Sequence, residues 1–202
     1  MLNSIKLKNT LLVGATTLLV SCSGQKEMKM GSYAYDAQFL KDNGIEYTEL
    51  VSADGNSKVM IVPAWQGRVM TTSASGDEGD SYGWINYRFI SDGKASTQFN
   101  PVGGEERFWF GPEGGPFSLY FKEGQEQVYS NWLVPPVIDT EAFDIKSQSN
   151  SSIRFVKDTQ LTNASGTTFH VNIDRTVSLM NADEVAADFG IQLSKDMKIV
   201  AY

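Results

Sequence analysis

From Gly44 onward apolar and polar positions alternate with a period of two, broken at short intervals by Gly, Asn, Asp and Ser. Such alternation is the mark of half-buried strands, and the breaks supply turn residues that tolerate positive φ. The pattern predicts strands over residues 46–51, 58–62, 68–74, 84–90, 117–121, 138–146, 153–161, 168–179 and 185–193. Ala53-Asp54-Gly55-Asn56, Ser91-Asp92-Gly93 and Asn163-Ala164-Ser165-Gly166 read as turns between them. Only residues 33–43 read as a short helix, with Gly44 as its stop signal. In the clearest strand Phe169, Val171, Ile173, Val177 and Leu179 share one face with Arg175, which therefore needs an acidic or carbonyl partner. The last residues, Met197 to Tyr202, again alternate like a strand, with no polar tail behind them. A strand at the terminus leaves an open edge. The chain is therefore expected to be the N-terminal portion of a longer domain.

The first residues follow a different pattern. Lys6 and Lys8 precede the apolar run Leu11 to Val20, which has the length and polarity order of a secretory signal. The run is shorter than the ~20 apolar residues a bilayer span needs. It closes on Leu19-Val20-Ser21-Cys22, which resembles the lipobox of bacterial lipoproteins. Small side chains expose the bond before Cys22 to a peptidase, and the thiol is the nucleophile that accepts the lipid. The expected organisation is a signal peptide over 1–21, a small polar tether over 22–32 anchored by lipidation of Cys22, and one domain over 33–202. Two or three acyl chains give durable attachment. Ser23 after the acylated Cys fits sorting to the outer membrane, by resemblance to lipoprotein sorting rules, so the protein is expected in the cell envelope, on its periplasmic or surface face.

Composition narrows the chemistry. Removing the two signal lysines leaves 15 basic against 24 acidic residues, a formal −9. That balance repels phosphate backbones, which argues against nucleic-acid partners. Cys22 is the single cysteine, so the exported domain has no internal disulfide and rests on its core. His170 is the single imidazole; no Ser-His-Asp, Cys-His or multi-histidine metal site can be assembled, and no metal or organic cofactor is implied.

The densest unusual stretch runs from Phe99 to Phe117. It places Glu105, Glu106, Arg107, Glu113, five glycines, Trp109 and several Phe in a segment too broken by Gly and Pro to be regular throughout. Such a loop can set a flat ring beside carboxylates and a guanidinium, which is what a sugar requires: a C–H face stacked on Trp and hydroxyls held by planar charged groups. The same residues also admit a packing role, with Phe108 and Trp109 in the core and Arg107 paired to Glu105 or Glu113. Gly103-Gly104 is no phosphate loop, because the Lys-Ser/Thr and helix are absent. Trp65, Trp84 with Arg88 in Tyr82-Gly83-Trp84-Ile85-Asn86-Tyr87-Arg88, and Trp132 stand near polar neighbours and could line a groove or fill the core. The adjacent acids Glu105 and Glu106 point oppositely in an extended segment, so they form no acid/base pair.

Val59-Met60-Ile61-Val62-Pro63, Trp65-Gln66-Gly67-Arg68-Val69-Met70-Thr71-Thr72-Ser73, Gly83-Trp84-Ile85-Asn86 and Gly103-Gly104-Glu105-Glu106-Arg107-Phe108-Trp109-Phe110-Gly111-Pro112-Glu113-Gly114-Gly115 together resemble an uncharacterised family of Bacteroidota lipoproteins. Those proteins resemble the galactose mutarotase-like superfamily. The resemblance implies an all-β fold, a large antiparallel β-sandwich (a supersandwich) incomplete at the C-terminus, and carbohydrate as ligand. Mutarotases use a His acid and a Glu base with Asn-Arg and His-Gly-Gly motifs. Asn86-Tyr87-Arg88 echoes the first motif loosely, and Val102-Gly103-Gly104 lacks the His of the second. No catalytic residue is assigned. The expected function is therefore carbohydrate binding through Arg107, Trp109, Glu105, Glu113, Trp84 and Arg88 by a membrane-anchored lipoprotein. The alternatives are an aldose 1-epimerase-like sugar isomerase or a structural lipoprotein without a ligand.

Overall fold

The computed structural model describes residues 28–202. The expected signal, Cys22 and most of the tether lie outside the described residues. The chain opens with α1 (Tyr33–Asp42), capped where the Ser32 hydroxyl accepts the Tyr35 amide at 3.2 Å. It continues through β1 (Thr48–Val51), β2 (Lys58–Val62), β3 (Arg68–Ser73), α2 (Tyr87–Asp92), β4 (Asp144–Gln148), β5 (Ser152–Thr162), β6 (Thr168–Ser178) and α3 (Ala182–Phe189). The strands form two antiparallel three-stranded sheets, ordered β1-β2-β3 and β4-β5-β6.

The first sheet is covered on both faces. Val59 and Ile61 of β2 join Leu50, Val69, Ile153, Phe155, Ile173 and Val177 in one core that draws on both sheets. Met60 and Val62 face the other way, onto Tyr33, Leu40, Ile85, Ile90 and Val102. A strand buried on both sides needs apolar residues at every position, which is why β2 reads Val-Met-Ile-Val without polar interruption.

The second sheet buries one face. In β5 and β6, Ile153, Phe155, Ile173 and Val177 are buried, while Arg154 and Asp174 pair on the outer face. Arg175 lies on the inner face and meets Glu106 at 2.6 Å, the acidic partner its position demanded. β4 is exposed along its whole length.

Several expected strands are absent. Residues 84–90 form a short extended piece and then α2, because the Asn86 side chain caps the Phe89 amide and Gly93 ends the helix at φ 61. Residues 185–193 fall largely in α3, whose Asn181 and Glu184 make a reciprocal capping box. Residues 117–121 form no strand; a turn at Phe117 is followed by bends over 119–121. The strand expected from 138 begins only at Asp144, since Pro135-Pro136 lead into a 3-10 turn at Pro136–Ile138. Met197 to Tyr202 form no strand; Met180 donates one backbone bond to the Ala201 carbonyl at 2.9 Å.

Candidate functional site

The segment after Val102 runs along the free edge of β3. The Glu105 amide donates to the Val69 carbonyl at 2.9 Å, and the Val69 amide donates to the Glu106 carboxylate at 2.9 Å. Gly103 and Gly104 make this approach possible. Both have positive φ, 100 and 116. A Cβ on Gly103 would fall 2.2 Å from the Trp84 carbonyl oxygen, and one on Gly104 would fall 2.7 Å from Arg68 Cδ. The double glycine thus lets the chain lie directly on the Arg68 stem.

Glu105 and Glu106 serve separate partners. Glu105 accepts the Thr72 hydroxyl at 2.8 Å, and Glu106 joins β3 to β6 by holding the Val69 amide and Arg175. Arg107 donates through Nη2 to the Ile138 carbonyl at 2.9 Å and to Asp139 at 2.8 Å. Asp139 is buried and also accepts the Asn100 amide and side-chain amide. The Arg107 guanidinium lies 4.5 Å from the centres of both the Phe99 and Trp109 rings.

Beneath this, Arg68 is 2 % exposed. It donates to the Gly103 carbonyl at 3.0 Å and to the Gln66 side-chain oxygen at 3.1 Å, both neutral acceptors. Burial first, and then the neighbouring Arg107 charge, push its pKa down to about 10.

An aromatic row extends from Arg107. Trp109 stacks on Tyr120 at 5.3 Å, Tyr120 on Trp132 at 5.6 Å, and Trp132 on Tyr129 at 6.2 Å. Phe99 packs edgewise on Trp109 and Trp132. The row grades outward from Tyr120, fully buried, to Tyr129, 75 % exposed. Trp109 donates its indole N–H to Glu113 at 2.7 Å. The Tyr120 hydroxyl donates to the Phe110 carbonyl at 2.6 Å, and burial together with the Glu113 charge raises its pKa. Beside Tyr120 opens a cleft of about 320 Å³, lined by residues 119–123, 133–136 and 160–163.

The structure therefore unites Arg107, Trp109 and Glu113, and turns Glu105 toward β3. Trp84 is exposed and joins none of the ring contacts, though its carbonyl receives the Gly104 amide at 2.8 Å. Arg88 is exposed on α2. Arg68, Asp139 and Tyr120 are members that sequence reasoning missed. Arg68 lay in the Trp65-Gln66-Gly67-Arg68 motif, but Asp139 stands 32 residues from Arg107 and nothing local marks it. His170 is exposed on β6. Among the described residues no group of three His, Cys, Asp or Glu could hold a metal ion, and no helix is long and apolar enough to cross a membrane.

A family model described as a family of unknown function, DUF6786, matches residues 31–202. The chain belongs to this family. No curated protein and no solved structure matches the chain.

Proposed function

We propose that this member of DUF6786 is a lipid-anchored protein of the cell envelope whose domain, a sandwich of the mutarotase-like kind, binds carbohydrate. The observation that carries the reading is the row Trp109, Tyr120, Trp132 and Tyr129, stacked in sequence and open to solvent at the Tyr129 end. Sugars present flat C–H faces, and a run of indole and phenol rings that ends on the exposed Tyr129 offers matching surface there at low entropic cost. The adjoining cleft of about 320 Å³ falls in the usual range of small-molecule sites, roughly 300–1,000 Å³. A core that draws on both sheets supports the sandwich. The anchor rests on the Leu19-Val20-Ser21-Cys22 sequence, and acyl chains on the mature N-terminus, weighed by mass spectrometry, are its direct check.

The test is a calorimetric or glycan-array screen of the chain beginning after Cys22. Tyr129→Ala removes an exposed ring at little cost to folding, and Trp132→Ala removes the ring behind it. Each is expected to weaken glycan binding by roughly tenfold or more, the scale of one lost aromatic contact. Unchanged affinity in both variants, or silence of the folded parent chain across the array, sinks the reading.

A further inference from the structure

We infer that Met30, Tyr82 and Trp84 form the face with which the domain rests on the lipid interface that holds its anchor. This deepens the lipid-anchored reading of the chain and rests on it; the carbohydrate reading stands apart from it.

Three observations carry it. Met30, Tyr82 and Trp84 are 69 %, 57 % and 62 % exposed, and no ring pair among the described residues includes Tyr82 or Trp84. The backbone brings the three together. Ser81 donates its amide to the Gly31 carbonyl at 2.9 Å, and Ser32 bridges to Asp80, so Met30 and Tyr82 each stand one residue from the same bond. Trp84 follows two residues on. Tyr and Trp, with an apolar ring body and a polar tip, are the side chains that settle at the level of lipid headgroups.

The rings are also held in place. Tyr82 donates its amide to the Thr72 carbonyl at 3.1 Å, the Gly83 amide donates to the Thr71 hydroxyl at 2.9 Å, and the Trp84 carbonyl accepts the Gly104 amide at 2.8 Å. A Cβ on Gly83 would fall 2.0 Å from the Met70 carbonyl oxygen, so position 83 faces β3 while the side chains on either side of it point to solvent. A backbone already pinned has little freedom left to lose when its rings are buried.

The third observation is the length of the tether. Cys22 precedes Met30 by eight residues, which reach about 28 Å at most when fully extended. A domain of this size is about 40 Å across. The side opposite Met30 therefore cannot turn to the bilayer in which acyl chains on Cys22 are sunk, and the Met30 side is kept against it. Asp77, Glu78 and Asp80 border the patch, so the contact is made by rings and not by attraction to anionic lipid.

The experiment reconstitutes the full acylated protein into vesicles of phosphatidylethanolamine and phosphatidylcholine, with and without bromine on the acyl chains near the headgroup. Bromine quenches tryptophan on contact. Fluorescence of the parent is expected to fall in the brominated vesicles at low and high salt alike, and Trp84→Phe, an exposed and conservative change, is expected to remove most of that fall. Trp65, Trp109 and Trp132 remain in the variant. Quenching that survives in Trp84→Phe means another face meets the lipid and overturns the inference. No quenching in the parent overturns it as well, and acyl chains found on Cys22 by mass spectrometry of the same sample then leave the anchor reading intact. If Cys22 carries no acyl chain, the anchor reading falls, and the same quenching, measured on the unanchored chain with excess vesicles, decides the lipid contact by itself: a fall that Trp84→Phe removes upholds it, and none overturns it.

Discussion

Gly104 shows how tightly single positions are set around Arg68. Its φ is +116, a region that side chains other than glycine rarely adopt. A Cβ there would also stand 2.7 Å from Arg68 Cδ and 3.1 Å from the Val69 carbonyl oxygen. Backbone cannot yield without breaking the bond between the Glu105 amide and Val69, and Arg68 is held by Gly103 and Gln66. Gly104→Ala is therefore expected to lose about 1–3 kcal/mol, read as a lower urea midpoint at unchanged slope. Gly114 is the control, because its φ is ordinary and its nearest neighbour, the Gln127 side-chain oxygen, is 3.8 Å away. Gly114→Ala should stay within about 0.5 kcal/mol of the parent. Equal midpoints for the two variants would mean that the segment can move off Arg68.

One close contact between the elements is a ring against a turn. Phe155 of β5 is fully buried, and the turn between β2 and β3 passes so close that a Cβ on Gly67 would lie 2.6 Å from its ring. Phe155→Ala should lose about 3–5 kcal/mol, the usual cost of emptying a well-packed core site. A loss below about 1 kcal/mol in denaturant unfolding would show that the site collapses around the gap. Elements of this kind were legible in the sequence to the extent that their order is local. The alternation along β5 and β6, the continuous apolar run of β2 and the short α1 stopped before Gly44 all follow from nearest-neighbour pattern, and the observed bounds fall within two residues of expectation for these. The helices α2 and α3 were hidden by their apolar residues, which fit a strand as well as a helix. Their signals were in the caps: Asn86 and Gly93 bracket one, Asn181, Glu184 and Gly190 the other. The aromatic-acid-arginine loop was legible as chemistry, but its partners were not. Asp139, Tyr120, Trp132 and Arg175 come to it across 11 to 69 residues of chain, through packing that no local pattern encodes.

At the scale of the whole molecule, the phenols tie folding to alkaline pH. Tyr33, Tyr87, Tyr120 and Tyr202 all have pKa values raised above the ordinary 10.0, in each case by burial first and then by nearby carboxylates. Tyr33 donates to Glu49 at 2.8 Å across α1 and β1, Tyr87 donates to the buried Asp36, and Tyr202 lies against Glu105 and Glu106. A group whose folded pKa is raised gives its full contribution below the unfolded value and loses it as pH climbs past that value. Stability should therefore hold up to about pH 10 and fall above it. Arg68 acts in the opposite sense, since its folded pKa is depressed to about 10 and its buried charge is relieved as pH rises beyond that. One arginine stands against several phenols, and a chain already at −7 gains further self-repulsion as tyrosinates form. The expected result is cooperative unfolding above pH 10, with tyrosinate absorbance and the loss of far-UV circular dichroism moving together. If instead the phenols titrate to completion near pH 10 while the dichroism stays intact, then the Tyr33 and Tyr120 hydroxyls are open to water, and the clamps they form on Glu49 and Phe110 do not hold the fold.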